Sequence, residues 1–220
     1  MAYFEVDGIS YGVRGRSIFN QISCQLNQAE FVSLVGPNGI GKTTLAKLMM
    51  GILTPEAGQI RLDGKAMSKL ALYEVGRKIG YLFQNPTSQI FCATIQEELL
   101  FAQRFQGGET PEAEARAQEM ICRFSLQEAK DSPVHALSHG EKQRLALATI
   151  MMSQPEYLIL DEPTTGLDQK RKAELGKYLK EIHQSGVGIL MISHDHGFVK
   201  KMSQRILKMD EEGLHEENLF

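Results

Sequence analysis

One stretch of nine residues, GPNGIGKTT at positions 36–44, constrains this chain more than any other. It fits the pattern G-x-x-x-x-G-K-[ST]. It also lies between FVSLV, a short β-branched run suited to a buried strand, and TTLAKLMMGI, which has helical spacing. Gly36, Gly39 and Gly41 allow successive backbone N–H groups to curl around phosphate oxygens, with Pro37 and Asn38 in the loop between them. The helix start adds about half a positive charge. Lys42 then reaches the β- and γ-phosphates, the Thr43 hydroxyl can hold Mg²⁺, and Thr44 completes the turn.

A phosphate loop of this kind calls for an acid at the end of another strand, and YLILDEP supplies two. Four apolar residues end in Asp161, suited to Mg²⁺ through water, and Glu162 is placed to orient and deprotonate an attacking water. A positioned base typically contributes about 10²–10⁴-fold in rate.

The rest of the chain sets the frame. Alternation at Tyr3, Phe4, Glu5 and Val6, and at Ile22, Cys24 and Leu26, predicts N-terminal β structure, and IRLDGK predicts a hairpin turning at Asp63-Gly64. IGYLF reads as a strand. Positions 94–130 read as helical, broken at Gly107-Gly108, with Thr110 capping the second helix and Pro111 in its first turn. A helix from Ser138 to Met152, the YLIL strand, a helix over 169–183, the VGILMIS strand and a hairpin around Glu211, Glu212 and Gly213 complete the pattern. Strands alternating with helices imply a mainly parallel sheet with right-handed crossovers. The 220 residues are therefore expected to form one domain. Positions 1–84 and 133–220 make its nucleotide-binding core with a β subdomain, and 85–132 a helical subdomain.

A net charge of −3 argues against a nucleic-acid partner. Cys24, Cys92 and Cys122, odd in number and widely spaced, read as thiols in a reducing cytosol. The start MAYFEVDGIS lacks the basic and apolar regions of a signal peptide. The longest apolar runs fall far short of the roughly 20 residues that span a bilayer, so a link to a membrane is expected to pass through a partner.

Over nearly its whole length the chain resembles the ATP-binding subunits of ABC transporters, through an ordered series of motifs. The resemblance implies an α/β P-loop fold with a mainly parallel core sheet, an N-terminal antiparallel β subdomain and a helical subdomain. It implies ATP and Mg²⁺ as ligands. Tyr11 stands where the family stacks an aromatic on adenine, and Gln84 where a glutamine senses Mg²⁺ and the γ-phosphate. LSHGEKQR at 137–144 resembles the signature Leu-Ser-Gly-Gly-Gln, whose Ser138 and Gly140 would contact the γ-phosphate held by an opposite subunit. TTGLD, ending in Asp168, resembles the loop that crosses the dimer interface, and His194 the switch histidine at the γ-phosphate. His139 and Glu141 depart from the signature; a β-carbon at 139 could crowd the phosphate or demand another backbone angle, while a protonated histidine there would instead add a favourable charge. Two subunits, identical or different, would thus sandwich two ATP molecules.

YLFQNPTSQIF narrows the resemblance to the ATPases of energy-coupling factor (ECF) transporters, which import vitamins or transition-metal ions. It implies an integral membrane component docking near Gln84–Phe91, with Ile90 and Phe91 as candidate apolar contacts, and a peripheral place on the cytoplasmic face of the membrane. The alternative is a soluble ABC ATPase with a mechanical, non-transport role. A small-molecule kinase with a P-loop would need neither the signature nor TTGLD.

Overall fold

The computed structural model describes residues 2–104 and 110–217, with the backbone alone at 104. The predicted break at Gly107-Gly108 lies outside the described residues. Two long antiparallel strands, β1 (Ala2–Val13) and β2 (Arg16–Asn27), lead into β3 (Phe31–Val35), the phosphate loop and α1 (Lys42–Met49). Next come β4 (Ala57–Leu62) and β5 (Lys65–Ala66), paired across Asp63 and Gly64. Both turn residues have positive φ, 50° and 72°, the backbone that suits the right-handed twist of a tight hairpin. Then follow α2 (Leu72–Lys78), β6 (Ile79–Leu82), α3 (Ile95–Arg104), α4 (Pro111–Arg123), α5 (His139–Met152) and β7 (Tyr157–Asp161). The chain continues through α6 (Gln169–Gln184), β8 (Gly188–Ile192), α7 (His196–Met202), β9 (Arg205–Asp210) and β10 (Gly213–Glu217).

The strands form two sheets. One is antiparallel, in the order β2-β1-β4-β5. The other runs β10-β9-β3-β8-β7-β6 and is parallel except for the β9–β10 hairpin at its edge. The central strands β3, β7 and β8 are buried at every position, which is why they read as unbroken apolar runs. Alternate side chains divide between two cores. Leu158 and Leu160 join Ile189 and Met191 beneath the helices, whereas Tyr157 and Ile159 join Leu190 and Ile192 against α1 and the antiparallel sheet. Tyr157 stacks on Tyr3 at 5.5 Å, and the Tyr3 hydroxyl donates to Glu156 at 2.9 Å, joining the two sheets.

The strand read at IGYLF stops one residue early. Phe83 is exposed, and its N–H donates to the Gln89 side chain at 2.8 Å instead of to a neighbouring strand. Thr110 caps α4 as its sequence predicts, accepting from the Ala113 N–H at 3.2 Å. Among the described residues no helix is long and apolar enough to cross a membrane.

Candidate functional site

The parallel sheet carries the ends of β3, β7 and β8 to one edge, the usual place for a ligand in open α/β sheets. The loop after β3 is built for close approach. Gly36 has φ 150°, and a β-carbon there would lie 2.1 Å from the Met209 carbonyl oxygen; at Gly41, φ 113°, it would lie 2.7 Å from Ile18 Cγ2. Gly41 is the N-cap of α1, with no side-chain cap and no acid in the first turn. The orphan N–H groups of the helix are therefore left for an anion. Lys42, buried to 6% exposure, donates from Nζ to the carbonyls of Gly36 (2.8 Å) and Pro37 (2.9 Å). Burial holds its pKa below the usual lysine range, partly offset by Glu162 and Asp161.

Opposite stand the two acids. Asp161 Oδ2 accepts from the Thr43 hydroxyl at 2.8 Å and from the Tyr81 hydroxyl at 3.1 Å. Its Oδ1 is buried without a hydrogen bond among the described residues. Glu162 adopts φ 51°, a backbone that non-glycine residues seldom take. Its N–H donates to the Ile192 carbonyl at 2.9 Å. The side chain meets His194 twice: Oε1 lies 3.0 Å from Nε2, and Oε2 accepts from the His194 N–H at 3.3 Å. Burial raises the Glu162 pKa, against the opposing charges of His194 and Lys42. His194 Nε2 also lies 3.2 Å from Lys42 Nζ. One ring nitrogen cannot both donate to the carboxylate and accept from the ammonium, so the tautomer selects its partner.

Lys42, Thr43, Glu162 and His194 line a cleft of about 490 Å³, whose wall includes Asn38, Gly39, Thr44 and Gln84; Asp161 stands outside that lining and meets it through the Thr43 hydroxyl. The donor set suits the expected ligands. A carboxylate with a spare buried oxygen, a threonine hydroxyl and a glutamine amide are hard oxygen donors of the kind Mg²⁺ takes. The cradle of positive-φ glycines and uncapped N–H groups suits a phosphate chain. Ile18, Thr165 and Ile192 also line the cleft, and sequence reading passes over them. Ile18 arrives through the pairing of β2 with β1, and Thr165 through the turn in which its N–H donates to the Glu162 carbonyl at 3.1 Å. Ile18 leaves no motif, and Thr165 lies within TTGLD, where the resemblance assigns a role to Asp168 alone. Tyr11 is half-buried, with its ring tilted on Phe19 at 6.4 Å. Phe19 and Ile18 border an adjoining cleft of about 940 Å³.

The signature residues are placed differently. Ser138 caps α5: its hydroxyl oxygen accepts from the Glu141 N–H at 3.3 Å, while the Glu141 carboxylate accepts from the Ser138 N–H at 2.8 Å. These hydrogen bonds hold the Glu141 pKa below its usual range. The side chains of Ser138 and Glu141 are engaged with each other's backbone, and the lining of the Lys42 cleft is drawn from other elements. His139 opens the helix itself. Its φ is not positive, so the missing signature glycine is no backbone requirement at this position. Asp168 caps α6, accepting from the Arg171 N–H at 2.8 Å, and a β-carbon on Gly166 would stand 3.8 Å from His139 Cε1. The TTGLD loop and the signature thus share one surface. Buried Gln143, on α5, ties them to the acids by donating to the Pro163 carbonyl.

After Gln84, a short 3₁₀ turn (Pro86–Gln89) leads to Ile90, which packs partly against the helical core, and to Phe91, which is 72% exposed. Glu98 is 1% exposed. Its carboxylate accepts from the N–H groups of Phe91 and Cys92, both at 2.8 Å, and so holds the loop that presents the exposed ring.

The sequence model described as "ABC transporter" matches residues 19–165. The energy-coupling factor transporter ATP-binding protein EcfA of Methanocaldococcus jannaschii is 36% identical over 197 residues, covering 89% of this chain and 71% of EcfA. The solved structure of cbiO1 from Clostridium perfringens, part of the ABC transporter complex cbiONQ, superposes with TM-score 0.89 at 30% identity, over 99% of this chain and 89% of that one. The ATP-binding cassette MJ0796, in a dimeric post-hydrolysis state bound to ADP and Pi, does so with TM-score 0.85 at 25% identity, over 99% of both chains. Against several other curated relatives the chain spans only 34–38% of their length. With the family model spanning most of the chain and the phosphate cradle facing its two acids, this chain belongs to the ABC transporter family, as an α/β ATPase domain that binds nucleotide.

Proposed function

We propose that this chain is the ATP-hydrolysing subunit of an ECF-type importer of a vitamin or a transition-metal ion. It would sit at the cytoplasmic face of the membrane without entering it. The observation that carries the reading is the convergence of Lys42, Thr43, Glu162 and His194 on one cleft, with Asp161 bonded to the Thr43 hydroxyl behind it. The likeness to EcfA and to a component of cbiONQ supports the type of transporter. The exposed Phe91, held by Glu98, supports docking of an integral membrane component along 84–91.

In this reading ATP lies with its phosphates on the N–H groups of the loop and Lys42, and with its base toward Tyr11. Thr43, Asp161 and Gln84 would hold Mg²⁺, which supplies positive charge to the phosphate oxygens. Glu162, oriented by its two contacts with His194, takes a proton from the attacking water. Lys42 and His194 offset the charge that develops on the γ-phosphate. Ser138 and Gly140 complete the site of a second ATPase subunit, with Asp168 at the interface between them. The dimer of MJ0796 supports that arrangement.

Glu162→Gln tests the chemistry. Phosphate release should fall by about 10²–10⁴-fold, ATP binding should persist, and a dimer should accumulate by size-exclusion chromatography. Unchanged turnover would remove Glu162 as the base. Purification from membranes, with the accompanying proteins identified, tests the transport role. A complex without an integral membrane protein would favour the soluble, mechanical alternative.

A further inference from the structure

Asp161 is held by more than the phosphate loop. Its Oδ2 takes two hydroxyl donors, Thr43 at 2.8 Å and Tyr81 at 3.1 Å, while Oδ1 takes none and stays buried. The two donors differ in kind. Thr43 stands in the first turn of α1 and lines the cleft, whereas Tyr81 reaches across from β6, the strand beside β7, and is 9% exposed. A carboxylate pinned through one oxygen by two donors presents the other in a fixed direction.

We propose that Tyr81 is a positioning residue for the metal-holding carboxylate: with Thr43 it fixes Asp161 through Oδ2 and leaves Oδ1 as the oxygen that would serve a cation. The inference rests on the reading above that Asp161 holds Mg²⁺. Tyr81 is itself anchored at the far side. Gln89 accepts from the Phe83 N–H at 2.8 Å and donates to the Tyr81 carbonyl at 3.4 Å, clasping the end of β6 on both sides of Leu82. The ring of Phe83 leans on Tyr81 at 5.1 Å. The segment bearing exposed Phe91 and the carboxylate at the cation site are thereby joined through a single strand end.

The experiment reads metal affinity apart from turnover. Mn²⁺ is titrated by electron paramagnetic resonance into protein saturated with a non-hydrolysable ATP analogue, and binding of the same analogue is measured in EDTA. Tyr81→Phe, which removes only the hydroxyl, should weaken Mn²⁺ binding about tenfold and leave metal-free nucleotide affinity as in the unaltered protein. Tyr81→Met should do the same if the Phe variant folds poorly. Superimposable Mn²⁺ titrations, or a parallel loss of both affinities, would overturn the proposal. Asp161→Asn separates the two readings. If it leaves Mn²⁺ binding intact, the assignment of Asp161 as metal holder fails; if it abolishes binding while Tyr81→Phe changes nothing, only the role of Tyr81 fails.

Discussion

The starts of α1 and α5 are both glycine-bearing helix N-termini with a hydroxyl residue at hand, yet they are opposites. At α1 the N-cap is Gly41; no side chain satisfies the first N–H groups and no acid stands in the first turn. At α5 the cap is closed: Ser138 and Glu141 exchange hydrogen bonds, and a carboxylate sits where an anion would come. The first is a complete phosphate site within one chain, reinforced by Lys42. The second spends its acceptors on its own helix. The Ser138 oxygen accepts from Glu141, which leaves its proton to donate outward. The same helix-terminus physics thus leaves one helix start open to an anion and closes the other, which in the reading proposed above would act only on a nucleotide held by another subunit.

The contrast can be broken most sharply at Lys42. Lys42→Ala should lower ATP affinity at least about a hundredfold, since a buried cation over the phosphates is worth several kcal/mol, as read by fluorescent-nucleotide titration. Retained affinity would mean that the loop N–H groups suffice and that the two helix starts differ less than claimed. Ser138→Ala should leave ATP binding to the isolated protomer unchanged and reduce ATP-dependent dimerisation or turnover roughly tenfold, the share of one hydrogen bond to a charged group. A loss of protomer binding would place Ser138 in its own site. The smallest effect is on stability. Glu141→Ala should cost about 1 kcal/mol near neutral pH, as broken caps do, measured by thermal or urea unfolding. The Glu141 pKa is depressed in the folded chain, so its contribution is present above the unfolded value, about 4.3, and is lost as pH falls through the folded one. The two unfolding curves should therefore converge in acid, and a difference that persists there would point to packing instead of the cap.

Local patterns carried the reading far where chemistry is spelled by neighbours in sequence. The loop with Lys42 and Thr43, the strand ending in Asp161 and Glu162, and the caps at Thr110 and Ser138 all depend on spacings of a few residues, which a sequence displays. Strand ends were less legible: Phe83 leaves β6 because Gln89, six residues on, takes its N–H. Ile90 and Phe91 are adjacent and both apolar, and only packing sends one toward the core and the other into solvent. Tyr81 looks like any buried strand aromatic until β6 is laid beside β7 and its hydroxyl meets Asp161.

By itself, the sequence determined the phosphate loop, the order of strands and helices and the identity of the acids, because glycine freedom, apolar periodicity and capping act over short distances. The tertiary structure alone decided which atoms meet. Glu162 turns to His194 through a left-handed backbone and a bond to Ile192, and His194 Nε2 comes to stand between that carboxylate and Lys42. Those contacts join residues more than a hundred positions apart in the case of Lys42, and they exist only where the parallel sheet brings its strand ends to one edge.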